Sequence, residues 1–295
     1  MFEPARVSVE PIGRRDARDA PGAGGVAGPK GRASGRPAPA PAALSERLAD
    51  VHGRPVRYGV AGAGEPVVLV HGLSGSGRWW ARTVPALAER YRVYVPDLPG
   101  FGTLARGGRP ERFALAEAPG WLLAWMAAVG LRSAHVVGHS MGGYVALRLA
   151  AGAPGAVRRL VLVAPAGVRR RRRRDPLLAY ALPLAAALYR VGPRFLPLLL
   201  RDALRAGPAT LRRAARALLA ADARPYLPAI DAPTLLIWGA HDALVPPAVG
   251  HLLRAEIGGA RLLLLEGVGH VPMYERPPAF NAAVLAFLAG APVGE

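Results

Sequence analysis

Apolar residues run along this chain in short, unbroken blocks instead of alternating with polar ones. Pro66-Val-Val-Leu-Val70 is the first such block, and it ends in a glycine-rich loop. Tyr91-Arg-Val-Tyr-Val95, His135-Val-Val137, Arg159-Leu-Val-Leu-Val163, Pro233-Thr-Leu-Leu-Ile-Trp238 and Arg261-Leu-Leu-Leu-Leu265 repeat the texture. A continuous apolar run closed by turn residues is expected of a strand buried on both faces of a parallel sheet. Helical patterns lie between the runs, at residues 79–91, 116–129, 142–153 and 278–289. This alternation predicts an α/β fold, with a doubly wound, mostly parallel sheet and helices on both faces. Two short strand candidates, residues 48–51 and 55–60, come first, separated by His52-Gly53, a dipeptide suited to a hairpin turn.

Two intervals break the pattern. Residues 169–230 hold no strand candidate, only Leu-, Ala- and Arg-rich helical texture punctuated by prolines. They are expected to form a helical cap inserted into an α/β core made of residues 44–168 and 231–295. Residues 1–43 are rich in Pro, Gly, Ala and Arg and poor in aromatic and β-branched residues. Such a segment cannot bury enough apolar surface to offset its ordering entropy, so a disordered tail is expected.

Composition narrows the picture. At 295 residues and 52% hydrophobic content, one α/β domain with an insertion can bury a sizeable core. The chain has no cysteine, which excludes disulfides, thiolate metal sites and a cysteine nucleophile. Nothing asks for an oxidising compartment, and residues 1–43 contain no signal-peptide core, so a cytoplasmic location is expected. The longest uncharged stretch, residues 277–294, is interrupted by Pro277, Pro278, Asn281 and Pro292, leaving too little to span a bilayer.

The net charge of +18 raises anionic partners. Yet Lys30 is the one lysine among 38 basic residues, and that preference for Arg, beside abundant Ala, Gly and Pro, has the look of GC-rich coding. No aromatic interleaving or binding motif accompanies the basic residues, so nucleic acid is not expected. The densest cluster, Arg169, Arg170, Arg171, Arg172, Arg173 and Arg174, opens the cap and precedes an apolar helical stretch. It reads either as a solvated charge run or as an interfacial element touching anionic membrane.

Candidate chemistry sits at the ends of the strand candidates. Gly138-His-Ser140-Met-Gly142 follows one strand and opens a helix. A serine at a sharp strand-to-helix turn exposes its hydroxyl above the sheet, and the flanking glycines leave room for that turn. A nucleophilic hydroxyl needs a base, and the base needs an orienting carboxylate. Asp242, in Gly239-Ala-His-Asp242, and His270, in Gly267-Val-Gly-His270, each lie just past a later strand. The order Ser, Asp, His is the one this architecture uses. The acyl-transfer oxyanion also needs donors: the Met141 N–H supplies one, and the loop His71-Gly-Leu73-Ser-Gly-Ser-Gly77 should supply another through Leu73. That loop lacks a Gly-Lys-Ser/Thr ending, so neither nucleotide nor any other cofactor is expected, and no metal. His139 and His241 read as packing residues, and Trp79 and Trp80 as core.

Taken together, Val70-His-Gly72, Asp97-Leu-Pro-Gly-Phe-Gly102, Gly138-His-Ser-Met-Gly-Gly143, Gly239-Ala-His-Asp242 and Gly267-Val-Gly-His270-Val-Pro-Met-Tyr-Glu-Arg-Pro277 resemble the α/β-hydrolase superfamily. The likeness is to its capped serine esterases, lipases and lactonases, over roughly residues 46–295 apart from the cap. It implies a triad of Ser140, Asp242 and His270 with Leu73 and Met141 framing an oxyanion hole. Serine at the nucleophile position departs from the aspartate of the dehalogenase and epoxide-hydrolase branches. The Leu- and Ala-rich cap points to a lipophilic carboxylic ester as substrate. Lactone or carbon–carbon bond hydrolysis by the same triad is a rival within enzymology, and a non-catalytic membrane-binding scaffold is a rival of another kind.

Overall fold

The computed structural model describes residues 44–102, 114–168 and 195–295. The expected tail at 1–43 and the arginine run at 169–174 lie outside the described residues. Eight strands form one sheet: β1 (Ser45–Asp50), β2 (Pro55–Ala61), β3 (Glu65–Val70), β4 (Tyr91–Pro96), β5 (Ala134–His139), β6 (Val157–Val163), β7 (Thr234–Gly239) and β8 (Arg261–Leu265), in the order β1-β2-β4-β3-β5-β6-β7-β8. β1 and β2 pair antiparallel, β2 joins β4 antiparallel, and every pairing from β4 to β8 is parallel. The hairpin turns at His52 and Gly53, both with positive φ (55° and 76°), as a two-residue turn matched to strand twist requires. β1 starts three residues earlier than its apolar pattern suggested, because Ser45 and Glu46 pair with Val60 and Gly59 along the backbone ladder, helped by the Ser45 hydroxyl donating to the Val60 carbonyl at 3.0 Å.

The continuous apolar runs divide between two faces. Val67, Leu69, Val137, Val161, Val163, Leu235 and Ile237 pack against α1 (Val84–Ala88) and the last long helix, α7 (Pro277–Leu288). Val68, Val70, Val136, Leu160, Leu162, Leu236 and Trp238 pack against α2 (Ala118–Ala128), α3 (Met141–Gly152) and α5 (Pro247–Glu256). One expected helix is not continuous: residues 79–91 hold a 3-10 turn, Gly77–Trp80, followed by the short α1. Pro85 has no N–H to give to the preceding turn, so the chain restarts with the proline in a new first turn.

Within the cap interval, α4 (Leu196–Ala220) and a 3-10 segment (Arg224–Ala229) are described. α4 has a kink at Gly207, where φ is 74° and ψ is 157°, ahead of Pro208. The helix begins in one apolar layer, where Phe195, Leu198 and Leu199 join the α1/α7 cluster. It ends in the other, where Ala206, Leu211 and Ala214 join the α2/α3/α5 cluster. A helix that passes from one face of the sheet to the other has to cross an edge, and α4 therefore roofs the sheet. Among the described residues no helix is long and apolar enough to cross a membrane.

The Gly207 dihedrals lie where essentially only glycine is found, although a Cβ there would meet nothing within 4 Å. Gly207→Ala is expected to cost about 1–3 kcal/mol through backbone strain alone. The urea midpoint should fall with the denaturant slope unchanged, and an unmoved midpoint would show that the kink is not demanded by the fold.

Candidate active site

Parallel strands deliver their following loops to one edge, and four such loops meet there. β5 passes into α3 through a single residue, Ser140, held at φ 52° and ψ −114°. The turn closes only because its neighbours lack side chains. A Cβ on Gly138 would lie 2.5 Å from the Gly142 carbonyl oxygen, and one on Gly142 would lie 2.4 Å from the carbonyl oxygens of Val70 and His71. The Ser140 backbone is fixed in turn by its N–H to the Val163 carbonyl at 2.9 Å and by Ala166 N–H to its own carbonyl at 3.1 Å.

The structure brings Ser140, His270 and Asp242 into one hydrogen-bonded row. His270 Nε2 stands 3.1 Å from Ser140 Oγ, and His270 Nδ1 stands 2.7 Å from Asp242 Oδ2. All three side chains are buried. The tautomer follows from the partners: a carboxylate accepts, so Nδ1 carries the proton and the Nε2 lone pair faces the serine hydroxyl. Asp242 is fixed in the turn after β7, where its Oδ1 accepts from the N–H groups of Leu244 and Val245, each at 2.9 Å. Those two bonds leave Oδ2 for the imidazole.

Two residues that hold His270 were missed by the sequence reading. Glu275, on the short α6 (Pro272–Glu275), accepts from Gly269 N–H at 2.7 Å and Val271 N–H at 2.9 Å, clamping the histidine from both sides in the chain. His139 is more than packing: its Nε2–H donates to the His270 carbonyl at 2.8 Å. The available signal was its position beside the nucleophile, since a strand-end residue adjoining Ser140 reaches whatever loop Ser140 faces. His241, the other histidine read as packing, is exposed. Trp79 and Trp80 both fill the core as expected, and Trp79 also lies between the His139 ring (5.8 Å) and the Phe195 ring (4.9 Å) at the start of the roof helix.

The loop after β3 places Leu73 in a turn closed by Gly75 N–H to Gly72 carbonyl at 3.0 Å, with Ser74 at φ 60°. Among the described residues, neither the Leu73 nor the Met141 N–H is used in a hydrogen bond. His71 anchors the start of this loop: Nδ1–H donates to the Gly72 carbonyl and Nε2 accepts from Leu98 N–H, both at 2.9 Å. That pair of bonds is available only to the neutral ring. Burial pushes the His71 pKa below the ordinary 6.5, against the opposing pull of the Asp97 and Asp202 charges. Burial, helped by the neighbouring His270, holds His139 well below the same value.

Both shifts set a pH dependence. The unfolded chain takes up these protons near pH 6.5 while the folded chain does not, so acid favours unfolding. Stability should be highest above pH 6.5 and fall as the pH drops from there toward the depressed folded values. Urea midpoints at about pH 7.5 and 5.5 check this, and a midpoint that stays level or rises on acidification would contradict it.

Comparison with known proteins agrees with this architecture. The sequence model of the alpha/beta hydrolase family matches residues 67–283. A pimeloyl-[acyl-carrier protein] methyl ester esterase of Aeromonas hydrophila is 33% identical over 250 residues, spanning 77% of this chain and 96% of its own. The crystal structure of a bacterial membrane phospholipase A is 30% identical and superposes with a TM-score of 0.70, covering 84% of this chain and 86% of that one. The enol-lactonase of Burkholderia xenovorans is 28% identical with a TM-score of 0.68, covering 82% and 99%. Together with the parallel sheet and the serine turn, these matches establish that the chain belongs to the alpha/beta hydrolase family.

Proposed function

We propose that the protein is a cofactor-independent serine hydrolase of carboxylic esters, and that it prefers a lipophilic acyl group. The observation that carries this reading is the row from Asp242 through His270 to Ser140, at 2.7 and 3.1 Å. Ser140 Oγ attacks the acyl carbonyl carbon as its proton passes to His270 Nε2, and Asp242 stabilises the imidazolium. The carbonyl oxygen gathers negative charge, for which the unused Leu73 and Met141 N–H groups are the donors. Collapse of the tetrahedral species breaks the bond to the leaving alcohol, which takes the proton from Nε2 and leaves an acyl-serine. Water, deprotonated by the same nitrogen, then releases the acid and restores Ser140.

A lipophilic acyl preference is supported by the leucine-rich roof helix, by the esterase and by the phospholipase A among the similar proteins. The enol-lactonase favours a second reading, lactone hydrolysis by the same residues. Carbon–carbon bond hydrolysis by the same residues is a variant of that second reading. Ser140→Ala should lower kcat by about four to six orders of magnitude without unfolding the chain. A p-nitrophenyl ester series, tested beside lactones and diketones, should show turnover rising from acetyl toward longer acyl chains. Near-parental activity in Ser140→Ala overturns the nucleophile, whereas equal turnover of acetyl and long-chain esters overturns only the lipophilic preference.

The membrane contact expected at Arg169–Arg174 falls outside the described residues, and we propose α4 as a further surface for peripheral contact with anionic membrane. The outer side of α4 exposes Leu196, Leu200 and Leu204 along with Arg201, Arg212, Arg213 and Arg216, and its one acidic residue, Asp202, is buried. Exposed leucines beside exposed arginines suit an anionic lipid surface. The protein should sediment with phosphatidylglycerol vesicles at low salt, be released at high salt, and bind phosphatidylcholine vesicles poorly. Loss of that binding in Arg212→Glu/Arg213→Glu supports the surface, and absence of salt-sensitive binding in the parent removes it.

A further inference from the structure

Asp202 is out of place for a helix that merely covers a pocket. It sits on the first half of α4, is fully buried, and forms no ion pair with a described residue. Its Oδ2 accepts from Ser76 Oγ–H at 2.7 Å, and its Oδ1 is buried with no partner among the described residues. Burying a carboxyl group with a single hydroxyl as partner is costly for the fold, and an arrangement kept at a cost belongs more often to a site than to a scaffold.

The partner residue gives the cost a purpose. Ser76 lies three residues after Leu73, directly beyond the Gly72 to Gly75 turn, and its hydroxyl caps the following 3-10 turn by accepting from Arg78 N–H at 3.3 Å. The adjoining Gly77 N–H donates to Asp97 Oδ1 at 2.8 Å. The far end of the loop is therefore pinned from below by a carboxylate of the core and from above by a carboxylate of the roof. Trp79 against Phe195, at 4.9 Å, is the apolar half of the same junction.

We propose that Asp202 is a positioning residue: by holding Ser76 it sets the Leu73 N–H in the place the oxyanion needs, so that the roof must be seated for the loop to work. The inference rests on the proposed role of Leu73 and adds to it a control by the cap. Small displacements of a catalytic donor matter, since losing about 1 Å of placement or a whole donor costs roughly 100-fold or more in rate.

The test uses the full chain with p-nitrophenyl butyrate, a short ester that makes little demand on the roof for binding. Asp202→Ala and Ser76→Ala should each lower kcat by about 10- to 100-fold, with KM within about twofold of the parent. The double variant should be no slower than the worse single one, because both singles remove the same Ser76–Asp202 bond, Ser76→Ala losing the Arg78 cap besides. Asp202→Asn, whose amide oxygen can still accept from Ser76, should recover kcat to within about threefold of the parent. A urea midpoint for Asp202→Ala equal to or above the parent's would show that the lost rate is not lost fold. Parental kcat in Asp202→Ala, an effect confined to KM, additive losses in the double variant, or Asp202→Asn as slow as alanine would each overturn the inference. A parent that neither hydrolyses the ester nor reacts with a fluorophosphonate probe would instead defeat the hydrolase reading, and this inference with it.

Discussion

The whole edge of the sheet is organised around one strained residue. Ser140 turns the chain from β5 into α3 with a backbone that L-residues rarely adopt, and it does so where Gly138, Gly142 and the carbonyls of Val70 and His71 are in near contact. That contact welds two loops together. The turn that presents the serine hydroxyl to His270 also fixes where the β3 loop begins, so Ser140 and the loop carrying Leu73 cannot be positioned independently. Strain at such a place persists only if the surroundings over-determine it, and here they do, through Val163, Ala166 and Tyr144 on the serine backbone.

The histidine is built to the opposite design. It sits in the loop between β8 and α6, beyond the last residue of the strand, and its placement is assembled from outside by Asp242 on the ring, Glu275 on the flanking amides and His139 on the carbonyl. Each of these supports is itself buried or hydrogen-bonded, so the imidazole is held in one tautomer facing the serine. The neutral state of His71 is part of the construction, because a proton on its Nε2 would displace the Leu98 N–H that this atom accepts, and burial disfavours a charge on either ring.

Much of this was legible in the residues alone, for a physical reason. Strands buried on both faces are apolar throughout, so Val67 to Val70 or Leu160 to Val163 announce themselves without any partner being known. Ser140, Asp242 and His270 were legible because glycine-rich loops directly after such strands mark one edge. What was not legible depended on contacts between distant segments. His139 looks like filling until the His270 carbonyl arrives beside it, Glu275 looks like a surface acid until its loop folds back, and the Ser76 to Asp202 bond spans 126 residues. The break at Pro85 was written in the sequence but outweighed there by helical periodicity.

The central claim is that the Ser140 oxygen becomes covalently acylated with His270 as its base. Acid-quenched mass spectrometry of the protein mixed with excess p-nitrophenyl ester reads that step directly. The account predicts an adduct of the acyl mass on the peptide containing Ser140, absent when His270 is replaced by alanine. Turnover with no adduct, or an adduct on any other residue, would contradict it.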